Sequence, residues 1–186
     1  MKRPNKDEYA AYYHTYVDKV PEGEIIKILK KQTDQIKKIL KNVSKKKSLF
    51  RYAPDKWSVR ELVGHIIDTE RVFAYRTLRF ARNDKNDLPG FDENEYIRQS
   101  NYNDAKLKEL VEEFCALRKS NILMFKKFPD EVGLRKGTAN GNSFTVRAMA
   151  YIMAGHVNHH LNVLKERYLK GSSKNPKSQK ANHSPR

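Results

Sequence analysis

Apolar residues recur at steps of four and three in four separate stretches of this 186-residue chain, a period that belongs to packed helices. The first stretch runs through Ile25, Leu29, Gln32, Ile36, Ile39 and Val43, after Pro21 and Glu22, which suit a first helical turn. The second opens with Ser58 and Glu61 in the S-x-x-E pattern of a capping box, and Trp57 and Leu62 stand where a hydrophobic staple would form. Its stripe passes through Leu62, His65, Ile66, Thr69, Val72 and Phe73 toward Arg82. The third starts near Asn103 or Asp104 and carries Leu107, Leu110, Phe114, Leu117, Asn121, Met124 and Phe128. The fourth begins near Thr145, where FTVRAM echoes the WSVREL that opens the second, an echo of cap chemistry.

Four helices of roughly 20 to 26 residues with no convincing strand specify an all-α four-helix bundle, and the order of packing stays open. Between the second and third helices, Pro89-Gly90 marks a turn in a long polar stretch that reads equally as a functional loop or as carrying a short helix over residues 93–99. Gly133, Gly137 and Gly141 break the pattern before the fourth. The length suits one domain. The expected organisation is an N-terminal segment 1–20, a bundle 21–169 and a basic, disordered tail 170–186.

The formal net charge is +16, yet it is concentrated. Seven of these charges lie in residues 37–51, five in the tail 170–186, and three at Lys2, Arg3 and Lys6, which leaves one for everything else. The body of the domain is therefore close to neutral. No aromatic interleaving or nucleic-acid-binding motif accompanies the basic runs, so solvated charge is the expectation rather than a nucleic-acid surface. No apolar run reaches the ~18 residues of a membrane span, and Cys115 alone makes no internal disulfide, which together predict a cytoplasmic protein.

The fourth helix holds AGHVNHHLNVLKERYL, residues 154–169, with three histidines in five positions. Met149, Met153, His156, His160 and Val163 follow the seam by fours and threes. Imidazoles four apart, with Cβ atoms ~6 Å from each other, can grip one metal ion. His159 points about 80° away from that pair and is a flanking group. His65, on the inward stripe of the second helix, supplies a candidate third ligand. Three buried imidazoles need partners, and a divalent cation satisfies all three. A three-histidine site leaves the metal its full charge and open positions, which suits catalysis better than structural closure.

Several other residues are candidates for lesser roles. Cys115 reads as an inert, at least half-buried thiol. Asp68 is placed to orient a ligand or bond across helices, and Glu70 with Arg71 to form an ion pair. Arg135, Asn140 and Arg147 border the entry to the fourth helix, where an anion could be received. Tyr96 and Tyr102 are candidates for the mouth of the site. No residue is singled out as a general base.

The runs KWSVRELVGHIIDTERVFAYR, LPGFDENEY and NGNSFTVRAMAYIMAGHVNHHLNVLKERYL resemble the DinB-like metal-binding family of four-helix bundles over about residues 20–170. The resemblance implies a divalent transition metal (zinc, nickel, manganese or iron) held by His65, His156 and His160, a cytoplasmic location and a homodimer. It also implies a small-molecule substrate. One branch, with bacillithiol transferases and mycothiol-dependent maleylpyruvate isomerases, activates a low-molecular-weight thiol cosubstrate for attack on an electrophile; other members are taken as metal-dependent hydrolases. Members often carry Glu directly after the first histidine of the last helix, where this chain has Val157. The leading expectation is thus a metal-dependent thiol S-transferase, followed by a metal-dependent hydrolase. A non-catalytic, metal-stabilised bundle binding a polyanion or nucleic acid through its basic segments is the third.

Overall fold

The structure, a computed structural model, describes residues 1–170. Most of the tail assigned to residues 170–186 lies outside the described residues. Two 3-10 turns, Lys6–Glu8 and Ala11–Tyr13, lead into a short α1 (His14–Val17). There follow α2 (Ile25–Leu40), α3 (Lys45–Ser48), α4 (Val59–Ala81), α5 (Glu93–Arg98), α6 (Leu107–Lys126) and α7 (Asp130–Gly133). A hairpin of β1 (Lys136–Ala139) and β2 (Asn142–Thr145) precedes α8 (Val146–Val163), which a π-helical turn extends over Leu164–Leu169.

The four long helices α2, α4, α6 and α8 form the expected bundle. Both α2 and α4 pack against α6 and against α8, so the first two long helices of the chain face each other across the diagonal. Their ends are fixed by polar contacts. Ser58 Oγ caps α4 by accepting from the Glu61 amide, Glu61 returns the bond to the Ser58 amide at 2.6 Å, and Ser58 Oγ donates to Asn103 Oδ1 at 2.6 Å. That is the capping box read from the sequence. Tyr168 OH donates to the Trp57 carbonyl at 2.6 Å, so α8 runs back to the end where α4 begins. Thr145 caps α8 through the Ala148 amide, where the sequence placed its start.

Two apolar clusters fill the bundle, one around Leu29, Phe73, Phe80 and Met149 and the other around Ile36, Leu62, Phe114 and Leu161. A buried polar belt divides them. Each helix contributes where its apolar run is interrupted: Gln32 on α2, Glu70 on α4, Arg118 and Asn121 on α6, and His156 on α8. Arg118, fully enclosed, donates to both oxygens of Glu70 at 2.8 Å and to Gln32 Oε1 at 2.6 Å. Asn121 donates to Glu70, and Gln32 Nε2 donates to the Ala154 carbonyl and to Asn158. With each side-chain oxygen and nitrogen of Gln32, Glu70 and Arg118 in at least one hydrogen bond, the buried charge is compensated.

The structure corrects several expectations. α2 begins at Ile25 rather than at Pro21, ends at Leu40, and buries Leu40 in place of Ile39 and Val43. α6 starts at Leu107, and its inner face turns through Arg118, Ile122 and Phe125 rather than Leu117, Met124 and Phe128. Val163 stays half-buried while Leu164 enters the core. A hairpin stands where no strand was expected; Asn140 and Gly141 both take positive φ (50° and 69°), the geometry of a type I′ turn. Gly137 lies against Phe80 so closely that a Cβ would sit 1.8 Å from the ring. Finally, the segment 1–20 belongs to the same packed body, since Tyr9, Val17 and Val20 are core residues. Gly155 permits this: a Cβ there would lie 2.0 Å from the Tyr16 carbonyl oxygen.

Candidate metal centre

The second turn of α4 and the last two turns of α8 bring three histidines together at the edge of the polar belt. His65, His156 and His160 are all buried, and their ligand atoms lie within 4.8 Å of one another. Nε2 of His156 is 3.0 Å from Nε2 of both His65 and His160. Two nitrogens bound at ~2.0–2.1 Å to one zinc-like ion, at angles of about 90–109°, lie about 2.8–3.4 Å apart, so the spacing fits a shared cation. Burial, reinforced for His65 by nearby His159, holds the His65 pKa down at about 4. Burial and then the neighbouring imidazoles push His156 and His160 well below the ordinary histidine range. At neutral pH all three rings are uncharged, the form that ligates metals. Among the described residues these are the group of three acidic, thiol or imidazole side chains spaced to hold an ion.

Aromatic rings fix the imidazole planes. Trp57 lies 4.7 Å from His65 between ring centroids, Tyr16 lies 5.5 Å edge-on to His156, and Phe73 lies 6.0 Å from His156. His159 is half-buried and packs on Tyr16 and on His160, the flanking place that its angle on the helix predicts. The His160 Nδ1 atom is buried without a protein partner.

A cavity of about 220 Å³ opens onto the histidines, walled by Tyr12, Tyr13, Tyr16, Trp57, Phe73 and Phe91, with Thr69, Arg76, Glu93 and Asn140 also exposed to it. A second cavity, about 280 Å³, reaches His160 from the other side between Trp57, His159 and Tyr168. Trp57 and His160 thus form the partition between two spaces. Gly90 and Phe91 line the first, on a segment tied to the hairpin by Leu88, which bonds to Thr138 and Asn140 at 3.0 and 2.8 Å.

Other candidate residues fall elsewhere. Asp68 accepts from Tyr102 at 2.6 Å, a bond from α4 to the turn before α6 rather than to a ligating ring. Glu70 pairs with Arg118 and not with Arg71, which instead pairs with Glu113. Arg147 is occupied by Glu8, and Arg135 donates to the Ala81 carbonyl at the end of α4. Of the three residues at the entry to α8, only Asn140 borders the histidine cavity. Tyr96 packs at a tilt against Phe91 outside it, and Tyr102 packs over Gly64. The tyrosines at the mouth are Tyr12, Tyr13 and Tyr16, from a segment whose sequence shows no helical period; only its density of tyrosine is a signal. Cys115 is half-buried, and burial pushes its thiol up, in keeping with an inert side chain. Val157 is enclosed in the apolar core, so no acid–base group follows His156.

Bundle and histidine cluster together describe a known class of protein. The family model of the DinB superfamily matches residues 28–164, and the chain belongs to that superfamily. In three dimensions it is similar to YfiT from Bacillus subtilis, with a TM-score of 0.69, 16% identity, and coverage of 76% of this chain and 82% of that one. YfiT is described as "a probable metal-dependent hydrolase with an unusual four-helix bundle topology". No curated protein matches the chain in sequence.

Proposed function

We propose that His65, His156 and His160 hold one divalent transition metal and that the protein is a metal-dependent enzyme acting on a small electrophilic molecule. The observation that carries this reading is the convergence of three buried, uncharged imidazoles, with the His156 Nε2 3.0 Å from that of each of the other two, on the floor of an open cavity. A bound divalent cation supplies Lewis acidity there, lowering the pKa of a coordinated thiol or water toward neutrality. The chain's own residues do the rest: the imidazoles contribute no charge, Trp57 and Tyr16 hold their planes, and the aromatic walls exclude bulk water from the reacting atoms.

Thiol transfer is the leading reaction, supported by the two cavities that meet at His160 and Trp57 and offer separate seats for a thiol and an electrophile. Hydrolysis is the second reading, supported by the description of YfiT. In the transfer reading a low-molecular-weight thiol is the cosubstrate. Assay of zinc-, nickel- or manganese-loaded protein with L-cysteine and 1-chloro-2,4-dinitrobenzene, beside a p-nitrophenyl ester without thiol, separates the two. Consumption that requires the thiol supports transfer, ester cleavage without it supports hydrolysis, and neither activity in any loaded form contradicts both. A cytoplasmic homodimer belongs to the same reading, and sedimentation equilibrium tests the dimer.

A further inference from the structure

Along α4, one face presents His65, Thr69, Phe73 and Arg76 to the histidine cavity, at spacings of four, four and three. Two of these residues carry polar groups that the fold does not use up. Thr69 is buried, and its hydroxyl meets no protein partner. Arg76 is only 5% exposed yet forms no ion pair among the described residues. Its guanidinium donates to the Pro89 carbonyl at 2.7 Å, lies near the Tyr13 hydroxyl, and is flanked by the Phe73 and Phe91 rings at 6.0 and 5.9 Å. The comparison within the molecule is informative. Arg118 and Arg147 each face a carboxylate, Glu70 or Glu8, and the similarly buried Arg60 donates to Ser48 and Asn103 away from the cavity. A guanidinium held in an aromatic slot with no carboxylate in contact, Asp87 acting on it from beyond ion-pair range, is a receptor for a planar oxyanion, since its charge and remaining N–H groups stay available.

We infer that Arg76 is a specificity-determining residue which anchors the carboxylate of a small, monoanionic substrate, with Thr69 bonding a polar group between that carboxylate and the reacting centre at the histidines. This rests on the proposed function for the location of the reacting centre. Phe73 sets the spacing, as its ring is 6.0 Å from both the Arg76 guanidinium carbon and the His156 ring. A carboxylate fits better than a phosphate: among the described residues no Lys and no second Arg lines the cavity, and the Glu93 carboxylate at its rim opposes a dianion. The flanking Phe73 and Phe91 favour an aryl or otherwise flat carbon skeleton beside the carboxylate.

Trp57 is the chain's single tryptophan and lines this cavity, so its fluorescence reports binding without any turnover. Metal-free and zinc-loaded protein are titrated with benzoate, its neutral analogue benzamide, and inorganic phosphate. Saturable change with benzoate at up to ~10 mM, at least about tenfold weaker with benzamide and absent with phosphate, is the expected result in both metal states. Arg76→Met weakens benzoate at least about tenfold, and Arg76→Lys, which keeps the charge and loses the planar fork, falls between the two. Circular dichroism melts of both variants establish that they fold. His156→Ala/His160→Ala retains benzoate within about threefold. No saturable benzoate signal, equal binding of benzamide, tighter binding of phosphate, or benzoate affinity undiminished in Arg76→Met would each overturn the proposal. Loss of benzoate in the histidine variant alone would place the carboxylate on the metal and overturn it too, leaving the metal centre intact. Protein that takes up no added zinc yet binds benzoate through Arg76 would instead sink the metal reading and keep the anchor.

Discussion

His65, His156 and His160 meet because two local rules act together: a four-residue step keeps His156 and His160 on one face, and the Ser58 cap fixes the phase from which His65 points inward. Both rules are written in residue types at short spacing, so this part of the site was legible in the sequence. Arg118 was not. A cation beside Leu117 on an amphipathic helix reads as surface, and nothing at short range reveals that Glu70, 48 positions away, comes to meet it. The structure predicts that Arg118→Met, which strands the Glu70 charge, destabilises the protein by roughly 3–5 kcal/mol. Glu70→Gln/Arg118→Met should recover part of that loss. Urea denaturation of the two variants checks this, and a double variant no more stable than Arg118→Met would contradict the ion-pair account.

At the level of elements, the four long helices announced themselves through their period, and the pieces that complete the cavity did not. The hairpin had one cue, Asn140-Gly141, but its strands are four residues each, too short for alternation to stand out. The segment carrying Tyr12, Tyr13 and Tyr16 lacks a period because it is held by contacts to α8 rather than by its own amphipathicity. Those contacts depend on Gly155, where the chain backbone passes at Cβ distance. Gly155→Ala is therefore expected to cost about 1–3 kcal/mol, the range of an overpacked core, despite alanine's better helix propensity. Because it displaces Tyr16 from His156, it should also raise protease cleavage within residues 1–20. A melting temperature at or above that of wild type would show that the segment does not need this close approach.

The same segment ties the whole molecule to pH. Burial raises the Glu8 pKa, but hydrogen bonds from Arg147, the Asn5 amide and Thr145 outweigh it and bring the carboxyl from 4.5 down to about 2. A carboxylate whose folded pKa is depressed contributes stability that is complete above about 4.5 and fades as pH falls toward 2. The stability difference between wild type and Glu8→Gln should accordingly be constant from pH 7 to 5 and shrink below it, as read from thermal melts; a gap that does not change down to pH 2.5 would refute the ion pair's role. Charge acts differently at this scale. With the excess confined to a few runs, any binding of heparin or RNA should weaken steeply with salt and be indifferent to the histidines. Coupling between polyanion binding and His156→Ala/His160→Ala would reverse that view. The central claim is the metal centre, and the most direct test is the metal content, by mass spectrometry, of untagged wild type beside His156→Ala/His160→Ala. About one transition-metal ion per chain in wild type, absent from the variant, is the predicted result. Wild type that is metal-free and takes up no added zinc, nickel or manganese would contradict the account and leave the three histidines as part of a structural core.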